Sequence, residues 1–376
     1  MNLARGLAAV GDNVSCFSYT RREESREITS RAEDGHLAIT RLGYAFWRYH
    51  HTNVILPRLN RVSEEVAAVL GRPIEIWHLH HPSSLVIATS LALRLRSGSP
   101  LVFTTHDPLF AAGWRPVISV RRVGLLREAN WREWPELALR CLPYNLADKI
   151  ISLSNHEREL LLRSGFSPQK VAVIPHGVRR IQQVRGIREM LGLEDKFLIL
   201  TVARFVKQKG HKYLIRAMPT VLKHADAHFL MIGTETALLP ELISEARKFK
   251  VDGRITFLTS VSNEDLARAY NDCDIFVLPS LYESFGLVLL EAMSCGKPVV
   301  AFESGSTSEI INQMKDGIVV PRGDSDELAK AILLLAGNRS LRDSMGSAAS
   351  SKVSERFAWP LIVSKTREVY EEALRR

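Results

Sequence analysis

Residues 274–305 read DIFVLPSLYESFGLVLLEAMSCGKPVVAFESG, and this stretch leaves the chain few architectures. Residues 275–278 are a short apolar run of strand formers, broken by Pro279 and Ser280. Residues 287–293 are apolar enough for a buried helix; Gly296, Lys297 and Pro298 stop it, and residues 299–302 start another strand. Strand, loop, helix and strand make a crossover unit of a parallel sheet, and residues 282–286 lie where such sheets bind ligands. The amides of Phe285, Gly286 and Leu287 are expected to be free donors at a helix N-terminus, a site suited to a diphosphate. Two carboxylates bracket the unit: Glu283 in the loop, and Glu291 on the helix after seven intervening residues. The helix reads as apolar around Glu291, so that carboxylate needs a partner such as a pair of sugar hydroxyls.

The same stretch carries a longer pattern, P-S-x-x-E-x-F-G-x-x-x-x-E-A-M-x-x-G-x-P-V-V, with every specified letter present from Pro279 to Val300. Here the chain resembles family-4 glycosyltransferases, retaining enzymes of the GT-B architecture, whose E-x7-E signature lies inside that run. E-x7-E alone is short enough to arise by chance, whereas the full run is not. The bland alternative makes Glu283 a loop charge and Glu291 a satisfied helix residue. The resemblance implies an α/β chain of two Rossmann-like domains with parallel sheets facing a cleft.

At 376 residues the chain is long for a single core, which also favours two domains. Its composition, 46% hydrophobic and 24% charged, is that of a soluble globular protein. No stretch offers eighteen consecutive apolar residues, and the start, MNLARGLAAVGDN, lacks the apolar core of a signal peptide. Cys16, Cys141, Cys273 and Cys295 are scattered without a C-x-x-C pair, which points to a reduced interior and core packing. The expected location is cytoplasmic, either free or peripheral on the cytoplasmic face of a membrane. The net charge of +9 is uneven: residues 1–180 hold 24 Lys and Arg against 16 Asp and Glu, and residues 181–376 hold 26 against 25. No nucleic-acid motif accompanies the basic half, so an anionic membrane or substrate is the better reading.

Taken in order, residues 2–11 read as the second half of a helix ended by Gly11, residues 13–20 as an alternating strand, and residues 21–34 as a charged loop, exposed or mobile. In the family an apolar strand and a Gly-Gly loop precede that first helix, and neither is in this sequence. The first strand of a doubly wound sheet lies in the middle, so the expectation is a gap beside residues 13–20 and a truncated or degenerate first domain. Residues 53–70 read as a helix and residues 74–79 as a strand running into His78, His80 and His81. H-x-H-H lacks a paired Cys or carboxylate at metal-ligand spacing, so lining of a cleft or plain packing is expected instead. Residues 101–105 form the next strand, and His106 follows at its C-terminal end, where it can hydrogen-bond a sugar or acceptor hydroxyl. It matches a strand-end histidine that the family places near the reacting sugar. Residues 111–136 interleave Arg115, Arg121, Arg122, Arg127 and Arg132 with Trp114, Trp131 and Trp134. That pattern suits a membrane-interface helix, or else a solvated charged face over a core stripe.

Strands at 149–154 and 171–175 flank a helix at 155–164, and Pro175–His176–Gly177–Val178 resembles the family's P-N-G-V hinge. The second half opens with a buried strand at 197–203, followed by Arg204 and Lys209, which match the family's diphosphate-holding Arg and Lys. Two cations near a helix start at Gly210 suit an anion. After the strand at 228–232 the family has G-x-G; here Gly233–Thr234–Glu235–Thr236 stands instead, which puts that backbone contact in doubt. Two D-x-D pairs, Asp272/Asp274 and Asp324/Asp326, read as a helix–strand junction and a helix cap rather than metal sites. Ser306–Thr307–Ser308–Glu309 reads as a capping box. A last amphipathic helix at 361–373 is expected to return to the first domain.

The expected domains are residues 1–177, acceptor-side; residues 178–358, binding the nucleotide sugar; and residues 359–376, the returning helix. The implied reaction is transfer of a hexosyl unit from a UDP-, GDP- or ADP-sugar to a hydroxyl of a sugar or lipid-linked acceptor, with retention. Glycan, glycolipid or polysaccharide synthesis is the expected setting. Arg204, Lys209 and the amides of Phe285, Gly286 and Leu287 would stabilise the leaving diphosphate, Glu283 the donor sugar and Glu291 the ribose. The resemblance implies front-side attack, with the leaving phosphate taking the acceptor's proton and His106 orienting rather than acting as an obligate base. No cofactor is expected, and no side chain is assigned to a metal. The rival readings are a non-catalytic nucleotide-sugar binder, and a phosphorylase or sugar-nucleotide epimerase of the same fold.

Overall fold

The computed structural model describes residues 2–12, 14–20, 31–33, 37–43, 75–80, 98–106, 143–179 and 181–375. Residues 53–70 and 111–136, expected as a helix and a membrane-interface segment, lie outside the described residues. The chain divides into two compact units. The first holds Met1–Ser152, Leu161–Gly177 and Trp359–Arg376, and the second holds Leu153–Leu160 and Val178–Ala358.

In the first unit, β1 (Val14–Thr20), β2 (Arg31–Glu33) and β3 (Leu37–Gly43) form a sheet of order β1-β3-β2. β1 runs parallel and β2 antiparallel to β3. β2 corrects the expectation of a loop at residues 31–33: its pairing is made by backbone amides and carbonyls, which a charged sequence supplies as well as an apolar one. Residues 21–30 lie outside the described residues. β4 (Trp77–His80), β5 (Leu101–Thr104), β6 (Lys149–Ser152) and β7 (Val171–Val173) form a second, wholly parallel sheet in that order. Among the described residues the two sheets share no ladder, and β1 and β4 are outer strands. The helix Trp359–Leu374 belongs to this unit and buries Ile362, Val369 and Ala373 with Val102, Ile151 and Ile174.

The second unit is built on six parallel strands: β8 (Phe197–Val202), β9 (Ala227–Ile232), β10 (Ile255–Leu258), β11 (Ile275–Leu278), β12 (Val299–Phe302) and β13 (Gly317–Val320). Their order is β10-β9-β8-β11-β12-β13. This is the doubly wound dinucleotide-binding order, with its reversal between β8 and β11. Helices cover both faces, so both sets of alternating side chains are apolar. Ile199, Ile275 and Val277 join one core with Leu214, Met218, Leu328 and Ile332, while Leu198, Leu200, Phe276 and Leu278 join another with Tyr270, Leu289 and Met293. That two-sided burial explains why the strands read as continuous apolar runs.

Both D-x-D pairs hold backbone. Asp272 accepts from the amides of Gly186 and Ile187 at 2.7 and 2.8 Å. Asp274 accepts from the Leu198 amide at 2.7 Å and the Arg188 guanidinium at 2.6 Å. Asp324 caps the helix Ser325–Gly337 through the amides of Asp326 and Glu327. The capping box at 306–309 does not form. The Ser306 hydroxyl donates to the Phe285 carbonyl at 2.9 Å, and Glu309 accepts from the Asn155 and His156 amides at 2.8 and 2.7 Å. These tertiary donors and acceptors outcompete the local ones in a helix only four residues long, Thr307–Ile310.

Candidate active site

The strand order brings together, in the second unit, loops that are distant in sequence. β8 and β11 are neighbours, with Ile199 opposite Ile275, so the loops at their C-terminal ends emerge side by side. The Leu281 amide donates to the Gln208 carbonyl at 2.9 Å and locks the two loops together. Gly210 permits this approach: a Cβ there would lie 1.9 Å from the Pro279 carbonyl oxygen, and its φ of 65° favours glycine. A third loop follows β12. A Cβ on Gly305 would lie 2.0 Å from the Glu283 carbonyl oxygen, so the Ser304–Gly305–Ser306 backbone lies directly against Glu283.

Within these loops the Lys209 ammonium donates to Glu283 Oε2 at 2.7 Å, with both side chains mostly buried. The pair joins the two charges that the sequence reading assigned to diphosphate and donor sugar. An ammonium has three protons, so Lys209 can bond Glu283 and still donate to an anion. Arg204, on the loop after β8, is exposed, and its guanidinium forms no hydrogen bond or ion pair among the described residues. Its carbonyl accepts from His211 Nε2 at 3.0 Å, which fixes that loop to the start of the helix His211–His224. Burial lowers the pKa of His211, with the nearby Lys209 charge acting the same way and the hydrogen bond to the Arg204 carbonyl acting in the opposite direction.

Gly286 adopts the left-handed conformation, φ 83°, immediately before the helix Leu287–Ser294. Phe285 is buried beside it, with its ring 6.3 Å from that of Phe357. The amides of Gly286 and Leu287 donate to no carbonyl or side chain among the described residues. The hydroxyls of Ser280 and Ser304 are buried at the ends of β11 and β12 and have no hydrogen-bond partner among the described residues. Orphaned groups of this kind carry a desolvation cost of about 1–3 kcal/mol each.

One and a half turns along that helix, Glu291 is half-buried, and its Oε2 accepts from the Tyr270 hydroxyl at 2.7 Å. Burial raises the pKa of the carboxyl, while the bond from Tyr270 acts in the opposite direction. The apolar pattern signalled that Glu291 needs a partner, but Tyr270 carried no signal: it lies 21 residues away on another helix, Asn263–Asp272. Where the family's second glycine is replaced, the Thr236 hydroxyl donates to the Phe205 carbonyl and ties the loop after β9 to the loop after β8.

His106 lies in the first unit, two residues beyond β5. Its Nε2 is 3.0 Å from His80 Nδ1, so a hydrogen bond links the two rings. His80 stacks on His78 with centroids 4.2 Å apart. His78 is bonded on both sides, to Thr104 and Tyr370 at 2.6 Å each, and burial, helped by His106, pushes its pKa down to about 3. His176, where the hinge motif has Asn, packs its ring 6.3 Å from His106 and 5.3 Å from Trp359. Among the described residues no group of three or more His, Cys, Asp or Glu is placed to hold a metal ion. The thiols of Cys273 and Cys295 are pushed up to about 12 and about 11 by burial, which makes them packing residues rather than nucleophiles.

Two family models match successive halves of the chain: Glycosyltransferase Family 4 over residues 1–180, and Glycosyl transferases group 1 over residues 185–352. The chain belongs to the family-4, group 1 glycosyltransferases. A D-inositol 3-phosphate glycosyltransferase of Streptomyces bingchenggensis is 31% identical over 61% of this chain and 54% of its own length. The chain spans 41–65% of the length of the curated relatives it matches. Among solved structures, sucrose-phosphate synthase from Thermosynechococcus elongatus superposes with a TM-score of 0.78, 24% identity, and 98% and 91% coverage of this chain and its own. HepE from Anabaena, in complex with UDP and glucose, gives a TM-score of 0.72 at 19% identity, with coverages of 90% and 87%. The fold is therefore GT-B.

Proposed function

We propose that the chain is a retaining glycosyltransferase that moves a sugar from a nucleoside diphosphate sugar to a hydroxyl acceptor without a metal ion. The observation that carries this reading is the Lys209–Glu283 pair at the switch point of the second sheet, between two loops that β8 and β11 bring together. The HepE structure with UDP and glucose supports a nucleotide sugar as the ligand class.

In this reading Lys209, Arg204 and the free amides of Gly286 and Leu287, with Phe285 packed behind them, hold the diphosphate. As the sugar–oxygen bond breaks, charge develops on the leaving phosphate, and these donors stabilise it without reorganising. Glu283 accepts from hydroxyls of the donor sugar, and Lys209 holds its carboxylate in place. Glu291 accepts from the ribose. The acceptor hydroxyl attacks from the face the diphosphate leaves, and the phosphate oxygen takes its proton. His106, in the other unit, serves as a hydrogen-bonding group for a sugar or acceptor hydroxyl. The acceptor is a sugar or a lipid-linked sugar, and the arginine–tryptophan segment at 111–136 contacts anionic membrane surface.

A thermal-shift screen with UDP, GDP and ADP tests the donor reading, because a ligand that binds only the folded state raises the melting temperature. One of the three is expected to stabilise the protein, and the matching nucleotide sugar is expected to be hydrolysed slowly or transferred. Stabilisation without any turnover of nucleotide sugars would make the protein a binder instead. A product epimerised at the sugar, or dependent on inorganic phosphate, would replace transfer.

A further inference from the structure

We infer that Tyr270 is a positioning residue for nucleotide recognition: its phenol fixes the Glu291 carboxylate so that the free oxygen, Oε1, faces the ribose hydroxyls. The inference rests on the reading of Glu291 as the ribose-binding carboxylate.

Tyr270 is fully buried in the apolar core between the helices and β11, its ring 5.8 Å from that of Phe276. For packing alone phenylalanine would serve, because a buried hydroxyl carries a desolvation cost that only a hydrogen bond offsets. The bond it makes is to Glu291 Oε2 at 2.7 Å. Among the described residues no other side chain reaches this carboxylate, so Oε1 has no protein donor. A glutamate has three rotatable side-chain bonds, and a carboxylate held at one oxygen loses most of that freedom. Both helices that carry the pair are anchored. Asn271 bonds the Gln182 and Ala267 carbonyls, and Lys297 bonds the carbonyls of Asn271 and Cys273 at 2.8 and 2.7 Å. The phenol therefore sits on a rigid support, and the acceptor direction of Glu291 is set before a ligand arrives.

The test uses calorimetric titration of the whole protein with UDP, GDP and ADP and with the 2′,3′-dideoxy form of each, for the wild type, Tyr270→Phe, Glu291→Gln and the double variant. The wild type is expected to prefer the ribose form of its nucleotide. Tyr270→Phe is expected to weaken binding of that form by roughly 3- to 10-fold, the size of one lost hydrogen bond, and to leave the dideoxy form unchanged. The double variant is expected to bind no more weakly than Glu291→Gln alone, because the tyrosine acts through the glutamate. A Tyr270→Phe variant that weakens both forms equally has a packing role, and one that changes neither has no positioning role; either result overturns the inference. If Glu291→Gln keeps the full preference for ribose, the reading of Glu291 itself fails. If Glu291→Gln loses the preference while Tyr270→Phe keeps it, only the role of Tyr270 fails.

Discussion

Arg204 and Glu291 meet the proposed donor in opposite states, one an exposed cation with no ion pair among the described residues, the other a half-buried and partly bonded carboxylate. Arg204→Ala is therefore expected to leave the melting temperature unchanged and to weaken nucleoside diphosphate binding by roughly tenfold or more, the loss of a charge-assisted bond of about 1.5–3 kcal/mol. Glu291→Gln is expected to lose a similar amount. Unchanged affinity in calorimetric titration removes either residue from the site. Glu291 also gives the pH dependence a direction. Burial raises the pKa of its carboxyl from the ordinary value, against the bond from Tyr270, and the ionised form is the better acceptor of two hydroxyls. As pH falls through that raised value the carboxylate protonates, so affinity decreases on acidification and binding releases a proton. In Glu291→Gln this part of the pH dependence is expected to vanish. A wild-type affinity that rises on acidification would contradict the ionised-acceptor role.

The loops at the strand ends are held by backbone proximity, and the helices behind them by buried pairs. Gly305 has a φ of 54°, and any Cβ there would lie 2.0 Å from the Glu283 carbonyl oxygen. Gly305→Ala is expected to displace the Glu283 loop, lowering stability by about 1–3 kcal/mol and weakening donor binding, as read by thermal melting and titration. Farther from the site, Lys352 on the helix Arg339–Arg356 donates to the Ile310 carbonyl and, at 2.7 Å, to Asp316. Asp316 in turn accepts from the Asn312 amide at 2.8 Å, and the side chains of both partners are almost wholly buried. Asp316→Asn would leave a buried ammonium without its counter-charge, and a loss of about 3–5 kcal/mol in chemical denaturation is expected. Replacing both partners with apolar residues of similar volume is expected to cost less than the single change.

For the whole molecule, charge and metal chemistry give separate tests. Turnover is expected to stay within about twofold in excess EDTA, because the proposed leaving-group stabilisation uses fixed cations and amides. Loss of activity restored by Mg²⁺ would count against that. The segment at residues 111–136 is expected to bind anionic vesicles in a salt-dependent manner, with each of its five arginines near the surface contributing about 1 kcal/mol. Sedimentation with anionic and neutral vesicles should differ, and the difference should disappear when Arg121, Arg122 and Arg127 become Gln. Among the described residues no helix is long and apolar enough to cross a membrane. What the sequence determined was whatever depends on neighbours along the chain. The buried strands at 197–202 and 275–278 followed from apolar runs, the loop–helix junction at Gly286 from its flanking composition, and the Asp324 cap from local spacing. The E-x7-E run placed Glu283 and Glu291 on one loop–helix unit, and the segment after the strand that opens the second half placed Arg204 and Lys209 on another. Only the tertiary structure decided which of these groups touch. The β8–β11 adjacency paired Lys209 with Glu283 across 74 positions, and helix packing gave Glu291 its tyrosine. It also sent Glu309 to the Asn155 and His156 amides instead of its own helix. A hydrogen bond between distant residues leaves no periodicity in either segment, so hydrophobic patterning shows that a buried polar group needs a partner, and only the packing of the sheet and its helices shows which one.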